Sequence, residues 1–336
     1  MSETEQPLEQ ILALALQRRE DLFEQCRQEN TDCYRLLHGS AEGRPGLTVD
    51  RYGPQLLIQS FHQGLETQER DLIAEGVRGH FEPLEVVYHD RSAPNSRYRR
   101  SDTPNSPSHV GLELGVKYQV QAEHGGQDPL LFLDLRAGRR WVLAQASGKR
   151  VLNLFAYTCG LGLCASLGGA SEVWNVDFAA SSLDVGRRNA ALNGLDLPQT
   201  KFVQGDFFTV ARQLAGLPVK SRRGSKPKSY QRFEARQFDL VCLDPPRWAK
   251  SPFGTVDLIR DYPSLLKPAL LATAPGGSLL CTNNVAAVDL DVWLDQLQRC
   301  AAKAGRPLMG CDVLAPEADF PSRDGRHPLK IALLQL

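Results

Sequence analysis

The chain lacks any excess of charge: 39 basic residues meet 39 acidic ones, and the formal net charge is zero. Global basicity therefore does not recruit a polyanion, and any contact with nucleic acid has to be made by a local patch. No apolar run approaches the ~18 residues of a membrane span. The opening MSETEQPLEQ is acidic and polar, unlike a signal or transit peptide. The eight cysteines, at 26, 33, 159, 164, 242, 281, 300 and 311, form no C-x-x-C pair. Several sit inside apolar runs such as LVCLD and LLCTN, the pattern of buried reduced thiols rather than of a disulfide frame or zinc site. The expectation is a cytoplasmic protein that uses no metal. What is present is ordinary globular material: 336 residues, 42% of them hydrophobic, enough for about two domains with a sizeable core.

Apolar residues at Leu8, Ile11, Leu12, Ala15, Leu16, Leu22 and Phe23 recur at helical spacing, so Pro7–Asn30 reads as a leading helix packed on the body. GLTVDRYGPQLLIQSF predicts a hairpin turning near Tyr52-Gly53-Pro54, followed by a helix around 66–81. From about Gly115 the pattern becomes regular. Strands are expected at 150–155, 172–177, 201–205, 238–244 and 277–282, with helices between them and a terminal pair near 307–314 and 329–335. Strands alternating with helices imply a doubly wound, mostly parallel sheet. The expected segments are an N-terminal helix (1–30), a small α+β domain that binds substrate or RNA (31–115) and an α/β domain (116–336).

Two segments break the neutral balance. HDRSAPNSRYRRSDTPNSPSHVG reads as a long surface loop holding Arg91, Arg97, Arg99 and Arg100, with Tyr98 between two of them. The insertion 218–236 holds Lys220, Arg222, Arg223, Lys226, Lys228, Arg232 and Arg236 against one acid, Glu234. Each is a solvated loop or a grip on RNA phosphate, Arg222 and Arg223 being the candidates at the centre of the second.

VLNLFAYTCGLGLCASLGGASEVWNVD reads as strand, glycine turn, helix, and a second strand ending in Asp177. Gly160-Leu161-Gly162-Leu163-Cys164-Ala165 fits G-x-G-x-x-A, whose glycines allow close backbone approach to an adenosine ligand. The pattern alone does not choose between NAD and S-adenosylmethionine. Position does: the later strands bring Asp206-Phe207-Phe208, Asp244-Pro245-Pro246-Arg247-Trp248 and Thr282-Asn283-Asn284 to the same carboxyl edge, where a dinucleotide domain would build its nicotinamide half. Two prolines directly after a buried strand make a rigid turn, able to hold a planar nitrogen-bearing substrate beside a methyl donor. Asp-Pro-Pro after the fourth strand is familiar from methyltransferases of nucleic-acid bases and amides.

With these motifs the chain resembles the class I methyltransferases of bacterial 23S ribosomal RNA, the RlmI- and RlmK-like group. The resemblance rests on TDCYRLLHGSAEGRPGLTVDRYG (31–53), FLDLRAGRR (132–140), the glycine-turn segment and FDLVCLDPPRWAKS. It implies a class I methyltransferase fold, a seven-stranded Rossmann-like sheet, with S-adenosylmethionine as cofactor and S-adenosylhomocysteine as product. It further implies that Phe155, Tyr157, Gly160 and Gly162 line the methionine and ribose, and that Asp177 binds the ribose hydroxyls with Phe178 against adenine. Asp206 would hold the adenine amino group beside Phe207. Asp134 and Arg136 would close over cofactor or position substrate, and Asp244, Pro245 and Pro246 would face the sulfonium and the target base.

The sequence departs from the group in two places. The helical Pro7–Asn30 stretch stands where an RNA-binding PUA module often precedes the catalytic unit. Cytosine-C5 members carry a cysteine after the fifth strand, because a thiolate must add to the ring before its poorly nucleophilic carbon can attack. This chain has Asn283-Asn284 there, and Cys281 falls inside the strand. The pair resembles the guanine-N7 branch, whose target nitrogen already offers a lone pair. Methylation of ribosomal RNA at a base nitrogen is thus expected, with Asn284 at the reacting edge and Arg247, Trp248 and Asn283 contacting the base. The rival readings are methylation of a protein amide or small molecule, and an RNA-binding assembly factor without catalysis. The sequence leaves the oligomeric state open, a homodimer included.

Overall fold

The computed structural model describes residues 6–92, 108–122, 128–195, 198–220 and 229–336. The chain divides into two compact units, one of Met1–Arg136 with Glu317–Gly325 and one of Ala137–Pro316 with Arg326–Leu336.

In the first unit the amphipathic start forms two helices, α1 (Leu8–Gln17) and α2 (Glu20–Gln28), where one was expected. The break has a cause in Arg19. Its buried guanidinium donates to the Ala15 carbonyl at 2.8 Å, and its backbone N–H turns to Leu16. Then follow β1 (Cys33–His38), a short α3 (Gly39–Glu42), β2 (Leu47–Tyr52), β3 (Gln55–Ser60), α4 (Thr67–Arg78) and β4 (Glu85–Asp90). They build a sheet in the order β1-β2-β3-β4, antiparallel except for the parallel β3–β4 pair, between which α4 makes the crossover. Its apolar face takes Ile11, Leu12, Ala15, Leu16, Leu22 and Phe23 from the two leading helices.

A further hairpin, β5 (His109–Glu113) and β6 (Val116–Val120), turns through Leu114 and Gly115, both at positive φ. Asp32 ties it to β1: its backbone N–H donates to the Leu112 carbonyl and its carboxylate accepts from the Leu112 N–H. These bonds place the hairpin in the first unit, so the boundary falls near Arg136 instead of Gly115, and no separate N-terminal segment stands apart.

The second unit carries α5 (Arg136–Gln145, its first residue at the boundary), β7 (Arg150–Leu154), α6 (Gly160–Leu167), β8 (Glu172–Asp177), α7 (Ala180–Leu192), β9 (Thr200–Gln204) and α8 (Phe207–Leu214). After these come β10 (Phe238–Leu243), a small hairpin β11 (Trp248–Lys250) and β12 (Thr255–Asp257), α9 (Tyr262–Ala272), β13 (Thr273–Asn283), α10 (Leu290–Lys303), β14 (Gly310–Leu314) and β15 (Lys330–Gln335). Seven strands form one sheet in the order β14-β15-β13-β10-β7-β8-β9, with β15 antiparallel to both neighbours and the run from β13 to β9 parallel. The central strands VLNL and LVCL are buried throughout, as parallel strands covered on both faces must be. The expected doubly wound, class I methyltransferase architecture is what forms. Strand order reverses between β7 and β10, so the crevice outside their carboxyl ends is where a ligand belongs.

Candidate active site

The carboxyl edge of the seven-stranded sheet is stitched together by its motif residues. After β7 the chain enters a loop in which Phe155, Tyr157 and Cys159 all adopt positive φ, between 49° and 69°. Three non-glycine residues in the left-handed region within five positions are costly, and such strain persists only where surrounding bonds over-determine it. Those bonds are present. Ala156 N–H donates to the Val176 carbonyl at 3.0 Å and Tyr157 N–H to Asp177 Oδ2 at 2.8 Å. The loop delivers the chain into α6, whose N-cap residue Cys159 makes no side-chain capping bond.

Asp177 ends β8. Its other oxygen accepts from Ala179 N–H at 2.9 Å, and its own carbonyl holds Gly205 N–H beside β9. Burial raises its pKa, opposed by the N–H groups of Ala179, Tyr157 and Phe178. Each carboxylate oxygen keeps a lone pair for a ribose hydroxyl. Phe178 next to it is 64% exposed, a large apolar ring left open beside a polar anchor. Asp206 caps α8: Oδ1 accepts from Phe208 and Thr209 N–H, which leaves Oδ2 for an exocyclic amine. Asp206 is therefore both the helix cap and a candidate ligand. Phe155 stacks on Phe207 at 4.6 Å between centroids and 17° between planes, forming an apolar wall.

The D-P-P turn follows β10 directly. Asp244 N–H reaches the Leu154 carbonyl at 3.4 Å, and Asp244 Oδ1 accepts a 2.5 Å hydrogen bond from Thr282 Oγ1 of β13. Thr282 in turn has its carbonyl bonded by Tyr262 Oη at 2.9 Å. Sequence reading passed over Thr282 and Tyr262 as positioning residues. The only available signal was a hydroxyl directly before the asparagine pair. Pro245 is buried, Pro246 half-buried, and Arg247, Trp248 and Asn284 are exposed, Trp248 at 61%.

Several expected roles change. Asn283 is fully buried, its amide spent on the Leu258 carbonyl and the Val285 N–H, so it shapes the strand end and does not read a base. That leaves Asn284 as the asparagine at the surface. Arg136 is 1% exposed; it belongs to the first unit and donates to Asp319 Oδ1 at 2.5 Å and the Cys33 carbonyl at 3.1 Å. A guanidinium so committed is a structural tie and not a cofactor contact. Asp134 lies half-buried in the same unit, in the 3-10 turn Leu133–Leu135. Neither Gly160 nor Gly162 has positive φ. Gly162 is needed because a Cβ there would overlap the Asn175 amide, so its role is the close packing of α6 on β8. Arg222 and Arg223, and the Arg97–Arg100 cluster, lie outside the described residues.

All eight cysteines are free; seven are buried, and Cys311 is half-buried on β14. Burial raises the thiol of Cys281 well above its ordinary value. Among the described residues no cluster of three or more His, Cys, Asp or Glu side chains is placed to hold a metal ion, and no helix is long and apolar enough to cross a membrane.

Residues 84–335 match the family model of S-adenosylmethionine-dependent methyltransferases. The chain is 33% identical to a ribosomal RNA large subunit methyltransferase I of Aeromonas hydrophila, over 86% of this chain and 70% of that protein. Among solved structures it is similar to a Streptococcus mutans protein put forward as a SAM-dependent methyltransferase, with TM-score 0.76 and 22% identity, covering 98% of this chain and 81% of that one. A second such structure, complexed with SAH, gives TM-score 0.73 at 22% identity, covering 98% and 82%.

Proposed function

The chain belongs to the S-adenosylmethionine-dependent methyltransferase family, and from that premise we propose that it methylates RNA of the large ribosomal subunit, in the cytoplasm, at a base nitrogen of the guanine-N7 kind. The cofactor supplies an electrophilic methyl group on a sulfonium. The residues present suit it. Asp177 offers acceptors to ribose hydroxyls, Phe178 an exposed ring for adenine, and Asp206 a free oxygen for the adenine amine. The Phe155–Phe207 stack and the strained loop form the wall on which the methionine side would lie.

The observation that supports nitrogen as the acceptor is the absence of a usable thiol beside the D-P-P turn. Carbon-5 of cytosine needs a covalent nucleophile, and both nearby cysteines, Cys242 two residues before Asp244 and Cys281 just before Thr282, are sealed in the sheet, where burial raises their thiol pKa. A ring nitrogen needs alignment and exclusion of water instead. Asp244, fixed by Thr282, and the paired prolines provide a rigid edge. Trp248 provides a face on which an unpaired base can stack, and Asn284 an amide able to donate and accept.

The test is direct. Ribosomal RNA from a strain lacking the gene is incubated with the protein and S-adenosylmethionine, and its nucleosides are resolved by mass spectrometry. A methylated purine nitrogen is expected, with Cys281→Ala active and Asp244→Ala reduced by 100-fold or more (~2.7 kcal/mol). Appearance of 5-methylcytidine, abolished by Cys281→Ala, would overturn the nitrogen assignment. Methyl transfer to ribosomal protein in whole particles but not to RNA would overturn the RNA assignment.

A further inference from the structure

The hairpin β11–β12 was not expected from sequence, and beyond the stacking face of Trp248 at its start no role described so far accounts for it. Its residues alternate cleanly. Ala249 and Val256, paired across the ladder, turn inward and join the main core, while Trp248 and Lys250 turn outward and are exposed. Arg247, Ile259 and Arg260 flank Trp248 and are exposed as well. At the far end the turn Ser251–Gly254 is locked. Ser251 Oγ accepts from the N–H groups of Phe253 and Gly254, and Gly254 lies so close to the Phe208 ring that a Cβ would collide with it.

The basic insertion reaches this turn. By chain order it runs from the end of α8 to the start of β10, both at the sheet edge opposite the D-P-P turn. Its returning limb nevertheless climbs along α8, where Gln213 bonds the Gln231 carbonyl at 3.0 Å and the Phe233 N–H at 3.2 Å. The limb presents Arg232 between these anchors and Tyr230 just before the first of them. Tyr230 packs edge-on against Phe253 at 5.6 Å, and Arg232 lies over the Tyr230 ring at 4.6 Å. Arg232 and Lys250 are exposed. Aromatic rings and cations thus alternate from the exposed Trp248, through Lys250, to the half-buried Tyr230 and the Arg232 that covers one of its faces, on a surface fixed by core packing.

We propose that the outer face of the β11–β12 hairpin, continued by Tyr230 and Arg232, is a track for the single-stranded RNA that flanks the base held at the D-P-P turn. The proposal rests on the RNA reading above. Stacking surfaces spaced by cations fit an extended strand with splayed bases, and do not fit a duplex, which offers no free base faces.

The experiment uses the full-length protein and a fluorescein-labelled ten-nucleotide single-stranded RNA of mixed sequence, read by anisotropy over a series of KCl concentrations. The double variant Lys250→Glu/Arg232→Glu should bind at least about tenfold more weakly. Its salt slope should be shallower by roughly 1.4, two phosphates at ~0.7 each. Tyr230→Ala should weaken binding with the slope unchanged, since stacking releases no counterions. Calorimetry with S-adenosylhomocysteine should show unaltered cofactor affinity in both variants, which also verifies folding. The comparison variant Lys267→Glu/Lys303→Glu alters a second basic surface, a cleft of about 420 Å³ lined by residues including Lys267, Arg299 and Lys303, and should bind RNA normally. Full RNA affinity in the hairpin variants, with loss in the cleft variant, overturns the track and leaves the RNA reading standing. Failure of the unaltered protein to bind RNA overturns both.

Discussion

At Gly162 one hydrogen atom decides how closely α6 can lie on β8. The Asn175 amide occupies the space a Cβ would need, and it accepts from Asn153 Nδ2 at 2.9 Å inside the sheet. Helix propensity favours alanine over glycine by about 1 kcal/mol. Overpacking costs roughly 1–3 kcal/mol and a broken buried hydrogen bond a similar amount, so the clash wins. Gly162→Ala should lower stability by roughly 1–4 kcal/mol, read as a fall in Tm and in denaturation midpoint. A purely ligand-approach role would instead leave Tm unchanged and weaken S-adenosylmethionine binding. Asn283 makes the complementary point. Sequence places it beside Asn284 as a base reader, but Asn283 is the last residue of β13 and buried with the strand, whereas Asn284 lies just past the strand end and meets solvent.

Among elements, the limb that closes the basic insertion is held by ion pairs as well as by Gln213. Arg236 donates to Glu172 at 2.5 Å and lies over Trp174 and Phe238, while Lys201 takes the other Glu172 oxygen at 2.6 Å. Burial alone would raise the Glu172 pKa; hydrogen bonds from Lys201, Trp174 and Arg236 outweigh it and bring the carboxyl down to about 2. A carboxylate with a depressed folded pKa stabilises the fold above its ordinary value near 4.5, and that contribution is lost as pH falls toward 2. Urea midpoints measured from pH 7 to pH 2.5 should therefore drop across this interval. Glu172→Gln should be less stable at neutral pH and show a flatter acid limb. Equal pH slopes in the two proteins would refute the anchoring role. Arg236 looks in sequence like the other cations of the insertion, yet it is committed to packing because it finds an acid, Glu172, on a neighbouring strand.

Over the whole molecule, the chain leaves the second unit after Pro316, contributes residues 317–325 to the first, and returns for the last strand. Asp319 secures that excursion. It is fully buried, accepts from Arg136 Nη2 at 2.5 Å and from the Arg35 backbone N–H at 2.9 Å, and its carbonyl receives Arg19. Removing one member of a buried ion pair strands the other charge, at a cost of about 3–5 kcal/mol. Asp319→Ala should therefore destabilise the protein by that amount in chemical denaturation, whereas the conservative Asp319→Asn should lose less. Loss of catalysis at unchanged stability would instead favour a contact between Arg136 and cofactor.

The sequence by itself determined what local periodicity and chain order can encode. Continuous apolar runs marked β7, β10 and β13 as strands buried on both faces, and their alternation with helices implied the parallel sheet. Placing Asp177, Asp206 and Asp244 after successive strands was enough to put them on one edge. Only the tertiary structure decided which side chains remain free there, because burial and pairing depend on neighbours far away in the chain. Arg136 is claimed by Asp319, which lies 183 residues on; Asn283 is spent at Leu258; Asp244 is held by Thr282. The insertion's path to the β11–β12 hairpin belongs to the same class, since Tyr230 meets Phe253 through packing that no spacing rule contains.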